Sequence, residues 1–253
     1  MATHYPLPRP MVWYYSPPLK LRVETDSGAV CEQTLEVTVP LAVERKLRLD
    51  LRMSENELEP IFSGAAWAGT VFWRAAIQLC EQQLLRSPHC WRGKHVIELG
   101  CGIGVPGMIA ALLGARVVLT EQPTLVDLLE RNVAANFTAD DGVLPPSAAV
   151  LSWEDQSDVA KVLPTGRTSF DVILCADCVF EPLYGTSWKP LSATIDALSD
   201  ANTVVLLAVE RRPSAAAPDG VGLFLDALAG YGFDAALVGG DHPVRLYRIQ
   251  RRA

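Results

Sequence analysis

Thirteen consecutive residues constrain this chain more than any others: His95-Val96-Ile97-Glu98-Leu99-Gly100-Cys101-Gly102-Ile103-Gly104-Val105-Pro106-Gly107. An apolar run meets an acid, passes through a glycine-rich turn and enters a stretch of small and apolar residues, Met108 to Gly114. That order predicts strand, tight loop, helix. Glycine is needed where the backbone takes unusual dihedrals or must come close to a ligand. The helix that follows points its free N–H groups at whatever sits over the loop. Pro106 suits its first turn, where there is no amide partner to lose.

Two ligands compete for such a loop. Gly102-x-Gly104-x-x-Gly107 fits the dinucleotide pattern G-x-G-x-x-G. Glu98-Leu99-Gly100-x-Gly102-x-Gly104 fits the E-x-G-x-G-x-G loop of class I methyltransferases, which bind S-adenosylmethionine. The loop alone does not choose between them, so the choice rests on the rest of the chain.

At 253 residues with 49% hydrophobic content, the chain can bury one large α/β core and carry an extension. Its formal charge of −7 argues against nucleic acid as the main partner and would steer a basic protein surface favourably. No apolar run is long enough to span a bilayer, and prolines interrupt any signal-peptide pattern at the N-terminus, so the expected location is cytoplasmic. The six cysteines are scattered. Cys175-Ala176-Asp177-Cys178 is formally C-x-x-C, but it ends an apolar strand instead of opening a helix, and no second pair completes a zinc site. No metal is expected.

Residues 1–18, rich in proline and aromatics, read as an extended arm. Leu19–Glu24 alternates weakly before a turn at Asp26-Ser27-Gly28. Leu35–Val39 and Leu47–Leu51 alternate at period two, predicting a small β layer. Gly69 to Arg86 has helical spacing. Arg116–Glu121 is the next strand and ends in an acid, about 20 residues past the first, the offset at which a carboxylate meets a ribose hydroxyl in this kind of fold. Thr124 to Asp127 resembles a capping box at the start of a helix. Ala148–Leu151 is a short strand, so Trp153 sits just past a strand's carboxyl end, the edge that carries ligands in open α/β sheets. Phe170–Cys175 is a buried strand that runs into a loop with two acids, Asp177 and Glu181, and two aromatics, Phe180 and Tyr184. Ser187 can cap a helix to Leu198; Thr203–Val209 is a strand, Val221–Gly230 a helix, and Phe233–Val238 with Val244–Ile249 a closing strand pair. Arg251-Arg252 reads as a solvated tail. Five strands alternating with helices and closed by a hairpin make a doubly wound sheet with an antiparallel edge.

At this point four blocks resemble the seven-β-strand, non-SET protein-lysine methyltransferases, including the methyltransferase-like 21 branch. Gly69 to Ala76 is similar to that family's V-W-D-A-A segment, Glu98 to Gly104 to its E-L-G-x-G-x-G, Leu151-Ser152-Trp153 to its L-x-W, and Asp177 to Phe180 stands where it has D-x-x-Y. The resemblance implies a seven-stranded Rossmann-like class I methyltransferase sheet, with a small N-terminal arm and β extension over residues 1–60 and the methyltransferase domain over 61–253. It implies S-adenosylmethionine as cofactor, with Trp73, Glu98, Gly100, Cys101, Gly102, Gly104, Glu121, Trp153 and Ala176 around it. It also implies Asp177 and Phe180 at the acceptor, a lysine-bearing protein such as elongation factor 1-alpha or an Hsp70-type chaperone, and action as a monomer. A carboxylate among aromatics suits an incoming ammonium, and Phe180, Tyr184 and Trp188 would desolvate it. Phe180 in place of tyrosine removes a hydroxyl, and Arg74 replaces the aspartate after the tryptophan.

A hydride-transfer enzyme would use the same glycines but needs a placed proton donor. The four histidines, His4, His89, His95 and His242, stand away from the predicted ligand edge. A nucleic-acid methyltransferase would show prolines after Asp177, to hold a flipped base, and a basic patch. A protein histidine or a small-molecule amine stays open as acceptor.

Overall fold

The computed structural model describes residues 19–25, 33–41, 44–50, 65–138, 142–212 and 218–252. The proline-rich arm and the turn at Asp26-Ser27-Gly28 lie outside the described residues.

Strands β1 (Lys20–Thr25), β2 (Gln33–Val39) and β3 (Arg45–Asp50) form an antiparallel sheet in that order. The second sheet has seven strands: β4 (His95–Leu99), β5 (Arg116–Glu121), β6 (Ser147–Val150), β7 (Val172–Ala176), β8 (Val204–Glu210), β9 (Phe233–Gly239) and β10 (Val244–Arg251). Their spatial order is β6-β5-β4-β7-β8-β10-β9. β4 to β8 pair in parallel, while β10 runs antiparallel to both β8 and β9. The chain steps outward from β4 through β5 to β6, then returns to β7 on the other side of β4. That reversal opens a crevice at the carboxyl ends of β4 and β7, the ligand edge of open α/β sheets.

Helices α1 (Arg74–Leu79), α2 (Val105–Leu112) and α3 (Pro123–Asn136) cover one face; α4 (Val159–Val162), α6 (Trp188–Ala197) and α7 (Val221–Gly230) cover the other. The short α5 (Glu181–Tyr184) stands between β7 and α6. Alternate strand residues point to opposite faces. In β8, Val204, Leu206 and Ala208 join the first layer, and Val205, Leu207 and Val209 the second. Burial on both sides explains why the central strands read as continuous apolar runs.

The small sheet lays Leu35, Val37, Val39, Leu47 and Leu49 into the same core as α1 and α2. Its edge strand β3 is met by two asparagines of α3. Asn132 Oδ1 accepts the Asp50 N–H (2.7 Å) and its Nδ2 donates to Asp50 O (3.0 Å); Asn136 does the same for Arg48 (2.6 and 2.7 Å). Four residues of helix rise about 6 Å, and two residues of strand about 6.6 Å. The helix therefore presents side-chain amides at the spacing of a missing neighbour strand. A similar clamp on α1 holds the β9–β10 turn: Gln78 Oε1 accepts from Asp241 N–H (2.7 Å), and Oε1 of Gln82, in the π-helical turn after α1, from Gly240 N–H (3.0 Å).

Four local expectations change. α-Helix starts at Arg74, not Gly69: residues 65–70 form a 3₁₀ turn, Trp73 is extended, and the helix runs into a π turn over Cys80–Leu84. The reason is close packing. A Cβ on Gly69 would lie 2.4 Å from Leu125 Cδ1, and the Trp73 indole N–H donates to Ala68 O (2.8 Å), fixing the segment as a wall. α3 begins at Pro123, with Gln122 at its N-cap and no side-chain cap; proline's preset φ starts the helix instead of the capping box. Arg251 is no solvated tail: it bonds the Asp196 carboxylate (2.7 Å) and stacks 4.6 Å from the Phe233 ring centre. Trp188 faces Glu181, donating to its Oε2 (3.1 Å).

Candidate active site

The loop after β4 has the dihedrals its glycines predict. Gly100, Gly102 and Gly104 have φ of 58°, 55° and 75°, all left-handed. At Gly102 the approach is as demanding as the dihedral, since an added Cβ would lie 2.6 Å from Gly69 O. Gly104 is the N-cap of α2, and Pro106 sits in the first turn.

Over this loop lies a cavity of about 280 Å³. Its wall includes Trp73, Glu98, Gly100, Cys101, Gly102, Glu121, Trp153 and Ala176, so eight of the nine residues expected to surround a cofactor converge on one space. Gly104 is the exception. Its α-carbon faces Leu129 and Leu119, so its task is the turn itself. Trp153 lies against the loop: a Cβ on Gly100 would meet its ring at 3.0 Å.

Two buried carboxyls brace the loop from below. Glu98 Oε2 accepts the Gly107 N–H (2.7 Å) in the first turn of α2. Burial pushes its pKa up to about 8, so it is mostly a neutral acid at pH 7. Glu121, at the end of β5, accepts Gly102 N–H through Oε2 (2.9 Å) and Gln122 N–H through Oε1 (2.9 Å). Burial raises its pKa too, against the lowering effect of these two bonds. Each oxygen keeps a second lone pair, the right chemistry for a vicinal diol.

A second cavity of about 200 Å³ opens beside the first, lined by Trp73, Asp177, Phe180, Pro182, Leu183, Tyr184 and Arg212. Trp73, Asp177, Leu183 and Tyr184 line both. Asp177 is the one non-glycine with a left-handed φ among the described residues (57°), a conformation costing on the order of 1 kcal/mol that Asp tolerates better than most. The conformation is locked from three sides. The Asp177 N–H donates to Ala208 O (2.8 Å), Oδ1 accepts Glu210 N–H (3.0 Å), and Oδ2 accepts from Arg212 (2.6 Å).

This changes the expected role of Asp177. It is no free carboxylate waiting for a cation, because Arg212 already pairs with it. The same guanidinium reaches Glu210 Oε2 (3.1 Å) and lies over the Trp73 and Phe180 rings, 5.2 Å from each centre. Sequence reasoning missed Arg212. The available signal was Glu210-Arg211-Arg212 directly past a strand's carboxyl end, where charges face the crevice. Trp188, expected to desolvate the acceptor, lines neither cavity.

The seven-stranded order, with its antiparallel β10 between β8 and β9, defines the class I methyltransferase fold. Two methyltransferases are among the solved structures that share it. The Thermus thermophilus 16S rRNA N2 G1207 methyltransferase in complex with AdoMet and guanosine aligns with a TM-score of 0.57 at 18% identity, covering 88% of this chain and 52% of its own. The mitomycin 7-O-methyltransferase aligns with 0.54 at 17%, covering 79% and 59%. At such identities the likeness concerns the fold alone. Sequence comparison goes further: residues 52–219 match the family described as lysine methyltransferase, and the chain belongs to that family. The EEF1A lysine methyltransferase 3 of Xenopus tropicalis is 32% identical over 185 residues, 71% of this chain and 73% of that protein. The protein N-lysine methyltransferase METTL21A of Danio rerio is 35% identical over 142 residues, 56% and 61%. The secreted RxLR effector protein 48 of Plasmopara viticola is 45% identical over 133 residues, 48% and 64%. The chain thus spans less than two thirds of the last two relatives.

Proposed function

We propose that this protein is a cytoplasmic, monomeric S-adenosylmethionine-dependent protein-lysine N-methyltransferase. The observation that carries the reading is the meeting of two cavities at Trp73, Asp177, Leu183 and Tyr184. One is walled by a glycine loop and strand-end carboxyls; the other is narrow, aromatic and charged. No described helix is long and apolar enough to cross a membrane.

The residues of the larger cavity fit the cofactor. The bare α-carbons of Gly100 and Gly102 let backbone approach the methionyl end, with Cys101 between them. Glu121 would accept from the ribose hydroxyls, Trp153 would flank the adenine, and Trp73 and Ala176 would close the side nearest the smaller cavity. Bound there, S-adenosylmethionine supplies an electrophilic methyl on a positively charged sulfur. Glu98 stays beneath the loop and holds α2 in place.

The smaller cavity suits a lysine side chain. Lysine arrives as an ammonium, since its reference pKa is near 10.4. Asp177 and Glu210 with the single guanidinium of Arg212 leave the cluster one negative charge, enough to draw a cation in. Methyl transfer needs the neutral amine. The apolar walls of Phe180, Pro182 and Leu183 disfavour the charged form by desolvation, against the pull of the cluster's net negative charge. The proton leaves to solvent through the open mouth.

The test is transfer of tritiated methyl from S-adenosylmethionine to a hypomethylated cell lysate and to recombinant elongation factor 1-alpha, the acceptor in the frog relative's name. Hydrolysed product should carry the label on methyllysine, and Gly102→Val should abolish it. Label on RNA, on histidine or on a small amine overturns the reading.

A further inference from the structure

Of the four residues that line both cavities, Trp73 donates its indole N–H to Ala68 O, Asp177 already accepts from Glu210 N–H and is ion-paired to Arg212, and Leu183 is apolar. The rest of the smaller cavity is Phe180, Pro182 and the Arg212 guanidinium, which only donates. Tyr184 alone brings a hydroxyl, which holds no protein donor among the described residues.

Its position is well defined. Phe180 is the N-cap of α5, and its carbonyl accepts the backbone N–H of both Leu183 (3.0 Å) and Tyr184 (2.9 Å). Tyr184 therefore lies one turn beyond Phe180, on the cavity side of the same short helix. Lining both cavities, it stands at their junction. After burial, Cys178, Asp177 and Glu121 all raise its pKa, and Arg212 opposes them. The phenol consequently stays protonated and neutral.

A neutral amine about to be methylated must keep its lone pair free and aim it at the cofactor side. Its own N–H groups can be held only by acceptors. A donor such as Arg212 would take the lone pair itself. We propose that Tyr184 is a catalytic residue: its hydroxyl oxygen accepts an N–H of the acceptor amine and so turns the lone pair toward the larger cavity. This inference rests on the amine-methylation reading above.

The experiment compares wild type, Tyr184→Phe and the double variant Phe180→Tyr with Tyr184→Phe, which moves the hydroxyl back one turn along the same wall. Initial rates are measured with tritiated S-adenosylmethionine and recombinant elongation factor 1-alpha, with the hypomethylated lysate as second acceptor. S-adenosylhomocysteine affinity is measured by calorimetry. Tyr184→Phe should lower kcat about 100-fold, the lower end of the range for one lost catalytic hydrogen bond, with acceptor KM changed less than about 3-fold. Its S-adenosylhomocysteine affinity should match wild type. The double variant should recover about a third of the rate or more. Wild-type kcat in Tyr184→Phe overturns the proposal, as does a parallel loss of S-adenosylhomocysteine affinity, which would make the ring a mere wall. Failure of the double variant to regain rate also counts against a role for the hydroxyl. Label on an acceptor other than lysine overturns the lysine reading instead, and the variant ratio on that acceptor still decides the role of Tyr184. No label on any acceptor overturns both.

Discussion

The two cavities share a wall and are assembled differently. On the proposed cofactor side, the polar groups are backbone amides and strand-end carboxyls from β4, its loop and β5, and the bonds run between near neighbours: Gly102 to Glu121, Gly107 to Glu98. On the proposed acceptor side, side chains come from the segment before α1, from the end of β7, from α5 and from past β8. The deciding contact, Arg212 to Asp177, joins residues 35 apart. The first arrangement is set by left-handed glycine dihedrals and a helix N-terminus. The second depends on a net of charges staying balanced. A cofactor common to many enzymes suits the former, and an acceptor particular to one suits the latter.

Breaking the cofactor side should have the largest effect on cofactor binding. Gly102→Val adds a branched side chain at a left-handed φ, where even a Cβ meets Gly69 O at 2.6 Å. S-adenosylmethionine affinity should fall on the order of 100-fold by calorimetry, the equivalent of about 3 kcal/mol. Breaking the acceptor side should leave that affinity within about 3-fold. Arg212→Met strands the Asp177 carboxylate, whose side chain is 4% exposed. Chemical denaturation should show a loss of about 2–3 kcal/mol, discounted because a quarter of the Arg212 side chain meets solvent. Adding Asp177→Asn should restore part of it, since Asn accepts the Glu210 N–H and tolerates the left-handed backbone. If the double variant is no more stable than Arg212→Met, the ion pair does not hold this wall.

The smallest effect on binding is expected beneath the loop. Glu98→Gln replaces a neutral acid with a neutral amide of the same shape, so affinity near pH 6 should not change. Stability against pH should. The folded-state pKa of Glu98, about 8, lies above the ordinary 4.5. Its contribution is complete below the lower value and is lost as pH climbs through the higher one. Wild-type stability should fall across that interval by up to about 1.4 kcal/mol per pH unit from this group, and Glu98→Gln should flatten the fall. Equal slopes in thermal melts of both proteins would show that Glu98 ionises freely.

Much of the cofactor side was legible in order along the chain. Glu98, Gly100 and Gly102 stand in one turn, Glu121 ends the next strand, and Trp153 follows a third. Gly104 was legible as a glycine but not as a turn residue facing Leu119 and Leu129, because the pattern gives spacing and not direction. The Trp73 segment read as helix because its apolar residues recur at helical spacing. Close contact of Gly69 with Leu125 and of Trp73 with Ala68 overrode that periodicity. Asp177 and Phe180, expected together, line one cavity, but the pairing of Asp177 with Arg212 was not legible.

Periodicity and glycine placement alone determined the doubly wound sheet, its antiparallel edge and the loop after β4. Each follows from which side chains avoid water and which backbone dihedrals a residue permits, properties local to a few positions. The tertiary structure decided that Arg212 meets Asp177, that Tyr184 brings the uncommitted hydroxyl, and that two asparagines of α3 close the edge of β3. Those pairings follow from where crossover connections deliver the strand ends, and charge and hydrogen bonding act only once the groups are within a few ångströms.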